Sequence, residues 1–294
     1  MKIAVTGSAG FVGSMLVEEL LQTECSLRLI QHRNRLYESS EADIESAMAD
    51  IHDYDSIEKA LNGIDVVYHL VGIISETKKL TFDKTVVGGT KNVVEASKKN
   101  GVKKIVYLSA LGTDANAQSK YHQAKWKAEE LVRNSGIDYV IIRPSVIFGP
   151  DDKFLNMIAG MIRKSPLVPI IGDGEYKLQP VYISDIAKIM TDCLTNKKAV
   201  GQTIEIGGPK VYKYTELVNL LKRVLNKKRG NIYLPVFLVK GIAGILESVI
   251  KPAPITRDQL VMMRIGNETD NKLFYEIFDF KLTKLEDKVI EYMR

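Results

Sequence analysis

A short run of strand-forming residues, Lys2-Ile-Ala-Val-Thr6, passes straight into Gly7-Ser-Ala-Gly-Phe-Val-Gly13, and residues 11–21 then carry apolar side chains at helical spacing. No other feature of the chain restricts its fold as much. A strand that ends in a glycine loop and resumes as a helix is the opening of a βαβ unit, and such units build parallel sheets covered on both faces. The three glycines have separate tasks. Gly7 can take the backbone angles of a tight turn, Gly10 lets the backbone approach a phosphate, and Gly13 lets the helix pack closely on the sheet. Unpaired N–H groups at the helix start, together with the helix dipole, favour an anion there. Glycines at this spacing also serve plain turns; the strand-loop-helix context is what points to a dinucleotide.

The alternation continues through the first half. Residues 26–31, 46–49, 66–70, 104–109 and 138–142 read as strands, and residues 55–61, 83–99 and 119–134 as helices, with Asn100-Gly101 and Gly136 as stops. The expected fold class is α/β, a Rossmann-type doubly wound parallel sheet. After Pro144 the rhythm breaks, with Gly and Pro clustered between 149 and 174. Patterns at 181–183, 184–195 and 203–206 return to the sheet, and 210–294 reads as mostly helical. The expected division is a nucleotide-binding domain over 1–150 plus about 178–207, and a smaller, mostly helical C-terminal substrate lobe over 151–177 and 208–294.

Composition excludes several classes. With 294 residues, 45% hydrophobic and 26% charged, the chain is neither disordered nor collagen-like. Cys25 and Cys193 are too few for a disulfide framework, and no Cys/His cluster has metal-ligand spacing. The immediate entry into a strand leaves no room for a signal peptide, and no apolar run reaches the ~18 residues of a spanning helix. The expected location is cytoplasmic, with no demand for a nucleic-acid partner.

The net charge of +5 is unevenly placed: residues 1–150 hold 18 basic and 19 acidic side chains, residues 151–294 hold 23 and 17, and residues 210–229 hold seven and one. An apolar segment over 232–250 follows, in which Leu238, Ile242, Ile245 and Val249 recur at helical spacing. Two readings stand open. The segment is core of the substrate lobe, or it is an interfacial helix that makes peripheral membrane contact or admits a lipid-like substrate.

Cofactor choice falls at the end of the second strand. A carboxylate there would hold the adenosine ribose and repel a 2′-phosphate. Here the strand ends Leu29-Ile-Gln-His-Arg-Asn-Arg35, with no acid until Glu38. Arg33 is placed to pair with a 2′-phosphate, with Arg35 behind it and His32 beside it in the loop, unless these are simply solvated loop charges. The expectation is NADP(H) over NAD(H). Further expected contacts are Gly7, Ser8, Ala9, Gly10, Phe11, Val12 and Gly13 in the loop, and Leu70, Val71 and Gly72 along the crevice. Asp50, followed by Ile51, either accepts the adenine amino group or caps a turn. Pro144, Ser145 and Val146 either meet the nicotinamide, with backbone groups of Ser145 and Val146 on the carboxamide, or form a plain strand exit.

Tyr121 and Lys125, four residues apart on an expected helix, share a face. An ammonium near a tyrosine hydroxyl favours the phenolate, so the pair suits proton transfer to a carbonyl or from an alcohol, and the lysine can also bind the nicotinamide ribose. Taken together, Thr6-Gly-x-x-Gly-x-x-Gly13, Tyr68-His-Leu70, Tyr107-Leu-Ser109, Tyr121-x-x-x-Lys125 and Arg143-Pro144 resemble the short-chain dehydrogenase/reductase superfamily, in the order of its extended or atypical branch. Tyr68-His-Leu-Val-Gly-Ile73, the stretch from Arg143 to Asn156, Gln179-Pro-Val-Tyr-Ile-Ser-Asp185 and Thr256-Arg-Asp-Gln-Leu260 are similar to the atypical subgroup containing the nucleotide-binding accessory subunit of respiratory complex I and its prokaryotic relatives.

The resemblance implies an NADP(H)-dependent oxidoreductase, with Tyr121, Lys125 and Ser109 as catalytic residues and a small-molecule substrate. Two departures matter. The superfamily's serine or threonine after the fifth strand falls on Ala110, one residue beyond Ser109, and successive strand side chains face opposite ways. Val86 also stands where a polar residue is common. A non-catalytic NADPH-binding sensor or assembly subunit is therefore the alternative, and a sugar-nucleotide epimerase or dehydratase the third reading. Gly172-Asp-Gly174 and residues 177–180 read as a loop over the crevice or a surface hairpin, and Asp185 as a helix-start or domain-joining residue.

Overall fold

The strand and helix patterns of the first half become β1 (Lys2–Thr6), α1 (Phe11–Leu20), β2 (Ser26–Gln31), β3 (Ile44–Met48), α2 (Tyr54–Ala60), β4 (Val66–His69), α3 (Gly89–Lys99), β5 (Lys104–Leu108), α4 (Lys120–Arg133) and β6 (Asp138–Pro144). One π-helical turn, Phe82–Gly88, runs directly into α3. The chain continues through β7 (Ile147–Phe148), α5 (Lys153–Lys164), β8 (Leu167–Ile171), β9 (Lys177–Leu178) and β10 (Val181–Tyr182), then returns by α6 (Ile183–Asp192) to β11 (Gln202–Ile206). The last stretch holds β12 (Tyr212–Lys213), α7 (Tyr214–Val224), β13 (Gly230–Leu234), α8 (Val236–Val249), α9 (Arg257–Ile265), α10 (Lys272–Ile277) and α11 (Leu285–Met293). This computed structural model describes residues 1–32, 43–250, 253 and 255–293, so Arg33 and Arg35 lie outside the described residues.

Among the described residues, seven parallel strands form one sheet in the order β11-β6-β5-β4-β1-β2-β3. Its two faces are read directly from strand parity. Ile3, Val5, Leu27, Leu29, Val66, Tyr68, Val106, Val140 and Ile142 pack with α1 and α6 on one side. Ala4, Ile30, Val67, Ile105, Tyr107 and Ile141 pack with α2, α3 and α4 on the other. This is the Rossmann-like, doubly wound arrangement, with the central strands apolar on both faces because both are covered, while the edge strands β3 and β11 keep polar side chains. Side chains also lock strand to helix: the buried Tyr68 hydroxyl donates to Met190 O at 2.8 Å, and Lys104 Nζ donates to Cys193 O and Leu194 O, both at 2.9 Å, at the carbonyl end of α6.

The direction of strand order reverses between β1 and β4. Carboxyl ends of parallel strands at such a reversal leave a crevice, and here it is bounded by the glycine loop and by Leu70, Val71 and Gly72. The C-terminal part builds its own core: β8 pairs in parallel with β13, and α5, α7 and α11 enclose Leu155, Ile158, Leu217, Leu221, Val289 and Met293. Residues 272–282 do not stay with that lobe. Phe274, Ile277, Phe278 and Leu282 pack into the core of the seven-stranded sheet, because β11 at its edge needs cover on the α1/α6 side. Residues 177–178 pair with β12 rather than forming a free hairpin. No helix among the described residues is long and apolar enough to cross a membrane.

Candidate cofactor and proton-transfer site

The glycine loop has the geometry that its composition foreshadows. Gly7 lies at φ +77°, a conformation costly for any residue with a Cβ, and Gly10 N donates to Gly7 O at 2.9 Å to close the turn. A Cβ on Gly13 would stand 2.1 Å from Gly7 O, so the close approach of α1 to the loop depends on glycine there. Gly10 is the N-cap of α1, with no side-chain cap and no acid in the first turn, which leaves N–H groups for an anion. Two buried polar atoms at this edge of the sheet, Ser8 Oγ and Gln31 Oε1, find no hydrogen-bond partner among the described residues. A glycine cradle and orphaned polar atoms fit a phosphate-bearing dinucleotide.

At the far side of β2, Asp50 is already engaged. Its Oδ1 accepts from His52 N and lies 2.9 Å from His52 Nδ1, and its Oδ2 lies 3.3 Å from His32 Nδ1. Burial raises its carboxyl, but these contacts outweigh burial and hold it below the usual range. Of the two roles open to Asp50, the turn is the one its contacts serve. Ile51 packs against Gly89, and its carbonyl accepts from Asn92 Nδ2 at 2.8 Å.

Beneath the loop sits a buried histidine that the sequence singled out only as part of a motif. His69 Nδ1 lies 2.7 Å from Thr6 Oγ1, and His69 Nε2 lies 3.1 Å from Thr90 Oγ1. Thr90 Oγ1 gives its proton to Val86 O at 2.6 Å, so Nε2–H must be the donor to Thr90 and Nδ1 the acceptor from Thr6. Full burial, reinforced by Lys125, lowers the imidazole to about 3 and keeps it neutral. His69 therefore fixes β1, β4 and α3 rather than moving protons. Val86 is wholly buried in the α2/α3/α4 core.

Tyr121 and Lys125 share the buried face of α4, but each has its own surroundings. Lys125 Nζ donates to Leu108 O at 2.8 Å and to the Tyr107 hydroxyl at 3.2 Å, and it would lie 3.3 Å from a Cβ placed on Gly72. A side chain at residue 72 would press on the ammonium, so glycine keeps the crevice open at this point. Burial lowers the ammonium to about 8, with the Glu129 carboxylate opposing the shift. Tyr121 lies against Phe82, with ring centroids 5.8 Å apart, and next to His122 at 5.3 Å. Burial pushes its hydroxyl upward, the opposite direction to the lowering expected from Lys125.

Ser109 lies on the same side of the sheet as Tyr121 and Lys125, but its hydroxyl is engaged one turn further along α4. Strand parity turns it, like Tyr107, toward α4, where its Oγ donates to Glu129 Oε1 at 2.5 Å. Glu129 is fully buried and also accepts from Arg143 Nε and Nη2 at 2.9 and 2.7 Å and from Arg133 Nη2 at 2.5 Å. The one-residue displacement between Ser109 and Ala110 thus has a physical consequence: the hydroxyl is committed to a buried ion cluster.

Two polar residues from beyond β12 complete the surroundings, and neither was picked out as a site residue from sequence. Asn267 Oδ1 accepts from Val146 N at 2.9 Å and from Ser145 Oγ at 2.5 Å, and Ser145 N donates to Ile206 O at 2.8 Å. Of the backbone groups of Ser145 and Val146 expected near a nicotinamide carboxamide, the two N–H donors are thus occupied, Val146 N by the primary amide of Asn267. Asp258 on α9 caps α4: its carboxylate accepts from Ser119 Oγ at 2.8 Å, Lys120 N at 2.7 Å and Tyr121 N at 3.2 Å. Asp185 joins the two parts of the chain by accepting from Thr283 N and Oγ1 at 2.6 and 2.8 Å.

Known proteins agree with this architecture. Over 99% of its length the chain is 29% identical to the mouse mitochondrial NADH dehydrogenase [ubiquinone] 1 alpha subcomplex subunit 9, spanning 79% of that protein. The Neurospora crassa NADH-ubiquinone oxidoreductase 40 kDa subunit is 27% identical over 84% of the chain, which spans 66% of that protein. In fold, the chain is similar to an NADPH-dependent quinone oxidoreductase from Escherichia coli solved with NADPH, with a TM-score of 0.80, 22% identity and coverage of 99% and 100% of the two chains. The sequence profile of the NAD dependent epimerase/dehydratase family matches residues 3–207, more than half of the chain, and the protein belongs to that family.

Proposed function

We propose that the protein is an NAD(P)-dependent oxidoreductase of the short-chain dehydrogenase/reductase type that interconverts a carbonyl and an alcohol, with NADP(H) preferred. The observation that carries this reading is the shared α4 face of Tyr121 and Lys125, with Lys125 Nζ beside Gly72 at the crevice between the glycine loop and β5. Bound in that crevice, a nicotinamide would supply or accept the hydride. Backbone N–H groups of the loop and α1 bind the phosphates. Lys125, charged below about pH 8, donates to a ribose hydroxyl. Tyr121, kept protonated by burial, serves best as the proton donor to a carbonyl oxygen, which favours the reductive direction. The preference for NADP(H) rests on the absence of an acid at the end of β2 and on Arg33.

A second reading has its own support: a nucleotide-holding subunit or sensor without turnover. Ser109 Oγ is committed to Glu129, and Ala110 follows it, so the usual hydrogen-bond donor to the reacting oxygen is missing; loss of one such donor costs about 10²–10³ in rate. NADPH oxidation across a panel of ketones, aldehydes and quinones separates the two. Turnover abolished by Tyr121→Phe supports the oxidoreductase, whereas NADPH binding without turnover on any member supports the subunit or sensor.

A further inference from the structure

The helix α8 is turned inside out relative to the other helices of the lobe. Only Val239 and Ala243 are buried, where they pack with Leu260 of α9. Phe237, Leu238, Ile242, Ile245 and Val249 all face solvent, with Phe237 72% and Val249 77% exposed. At 100° per residue, Leu238, Ile242, Ile245 and Val249 fall within one narrow stripe, and Phe237 extends it at the N-terminal end. Ile232, Tyr233, Ile250 and, on α9, Ile265 are exposed as well. Scattered exposed leucines need no explanation, but a contiguous apolar face of this extent marks a docking surface.

Charge identifies what docks. The one acid of α8, Glu247, is turned inward to Arg257, accepting from its N at 2.6 Å and its Nε at 2.7 Å. Lys240 is exposed on the flank of α8 next to Phe237, off the Leu238–Val249 stripe, Arg264 is exposed on α9, and Lys227 and Lys228 are exposed just before β13. No acid pairs with any of these four cations among the described residues. A second copy of the chain would bring like charges together, and the face is a convex helix rather than a groove. An exposed apolar helix face in a lobe whose nearby exposed cations on α8, α9 and the approach to β13 have no acidic partner fits the acyl and headgroup layers of an anionic bilayer.

We propose that α8 is an interfacial helix that lies flat on an anionic lipid surface, with Phe237, Leu238, Ile242, Ile245 and Val249 inserted and Lys240 and Arg264 at the headgroups. Docking leaves the nucleotide crevice free, because the contact is made from the opposite side of α9. Asp258 of the same α9 caps the helix that carries Tyr121, so the lipid-facing element is one helix removed from the site.

Cosedimentation of the full chain with vesicles tests this. Vesicles of equal parts phosphatidylglycerol and phosphatidylcholine should bind the protein, and phosphatidylcholine alone should bind it far less. The double variant Phe237→Ser/Ile245→Ser should lose roughly tenfold or more in partitioning, and Lys240→Glu about fivefold or more on the anionic vesicles. Both variants change exposed side chains, and an unchanged thermal unfolding profile verifies the fold. Binding that ignores lipid charge, no binding to the anionic vesicles at low salt, or partitioning unchanged in the double variant overturns the proposal. A solution dimer dissolved by the double variant, without vesicle binding, assigns the face to a second copy and overturns it equally.

Discussion

Replacing Lys125 with methionine gives a sharp test of how the site is built. The Lys125 ammonium is lowered from its ordinary 10.5 to about 8 by burial, even though Glu129 pulls it upward. Between those two values the unfolded chain binds a proton that the folded chain does not, so stability must rise with pH across this window. At ~1.4 kcal/mol per tenfold change in proton affinity, the buried charge costs about 3 kcal/mol near pH 7 and about 1.5 kcal/mol near pH 9.5. Lys125→Met removes that dependence. It also loses the bonds to Leu108 O and the Tyr107 hydroxyl, an offset present at low pH. Urea unfolding of both proteins at several pH values should therefore show the wild type gaining about 2 kcal/mol on Lys125→Met between these two conditions. A stability difference constant to about 0.5 kcal/mol would mean that Lys125 keeps an ordinary ammonium and is not the desolvated group described here.

Glu129→Ala strands Arg143 and Arg133 and the Ser109 hydroxyl, and should destabilise the fold by about 3–5 kcal/mol in urea unfolding; a loss below about 1 kcal/mol would show the cluster to be solvated. Asp258→Ala removes the cap of α4 and should cost about 1–2 kcal/mol, with faster amide exchange at Lys120 and Tyr121. Asp258→Asn, which keeps one acceptor, should fall between the two, and exchange confined to α9 would contradict the capping role.

Much of the fold was legible because its determinants are local. Strand parity, the glycines at 7, 10 and 13, and the apolar spacing of α1, α3 and α4 lie within single elements, and the seven strands of the main sheet match the expected ones to within a few residues, whereas β8 and β13 of the C-terminal part were not anticipated. The site was legible where it depends on one element: Tyr121 and Lys125 share a face of α4 because they are four residues apart. What local pattern does not contain is pairing across the chain. Asp258 caps a helix 137 residues earlier, and Asn267 reaches Val146 from 121 residues away. Ser109 shows a subtler limit. Its position relative to Ala110 was readable, but its partner Glu129 becomes evident only once β5 and α4 are packed together. The exposed side of α8 was likewise undecidable from periodicity, which gives a stripe without saying whether the stripe faces core or solvent.

Calorimetric titration of the purified protein with NADPH and NADH, in the wild type and in Lys125→Met, bears most directly on the proposed role of this crevice. One nucleotide per chain is expected, NADPH tighter than NADH, with affinity reduced roughly tenfold to a hundredfold in Lys125→Met at neutral pH as a charged hydrogen bond to the ribose is lost. Absence of heat with either nucleotide, or affinity untouched by Lys125→Met, would show that the crevice between the glycine loop and α4 does not hold the cofactor as described.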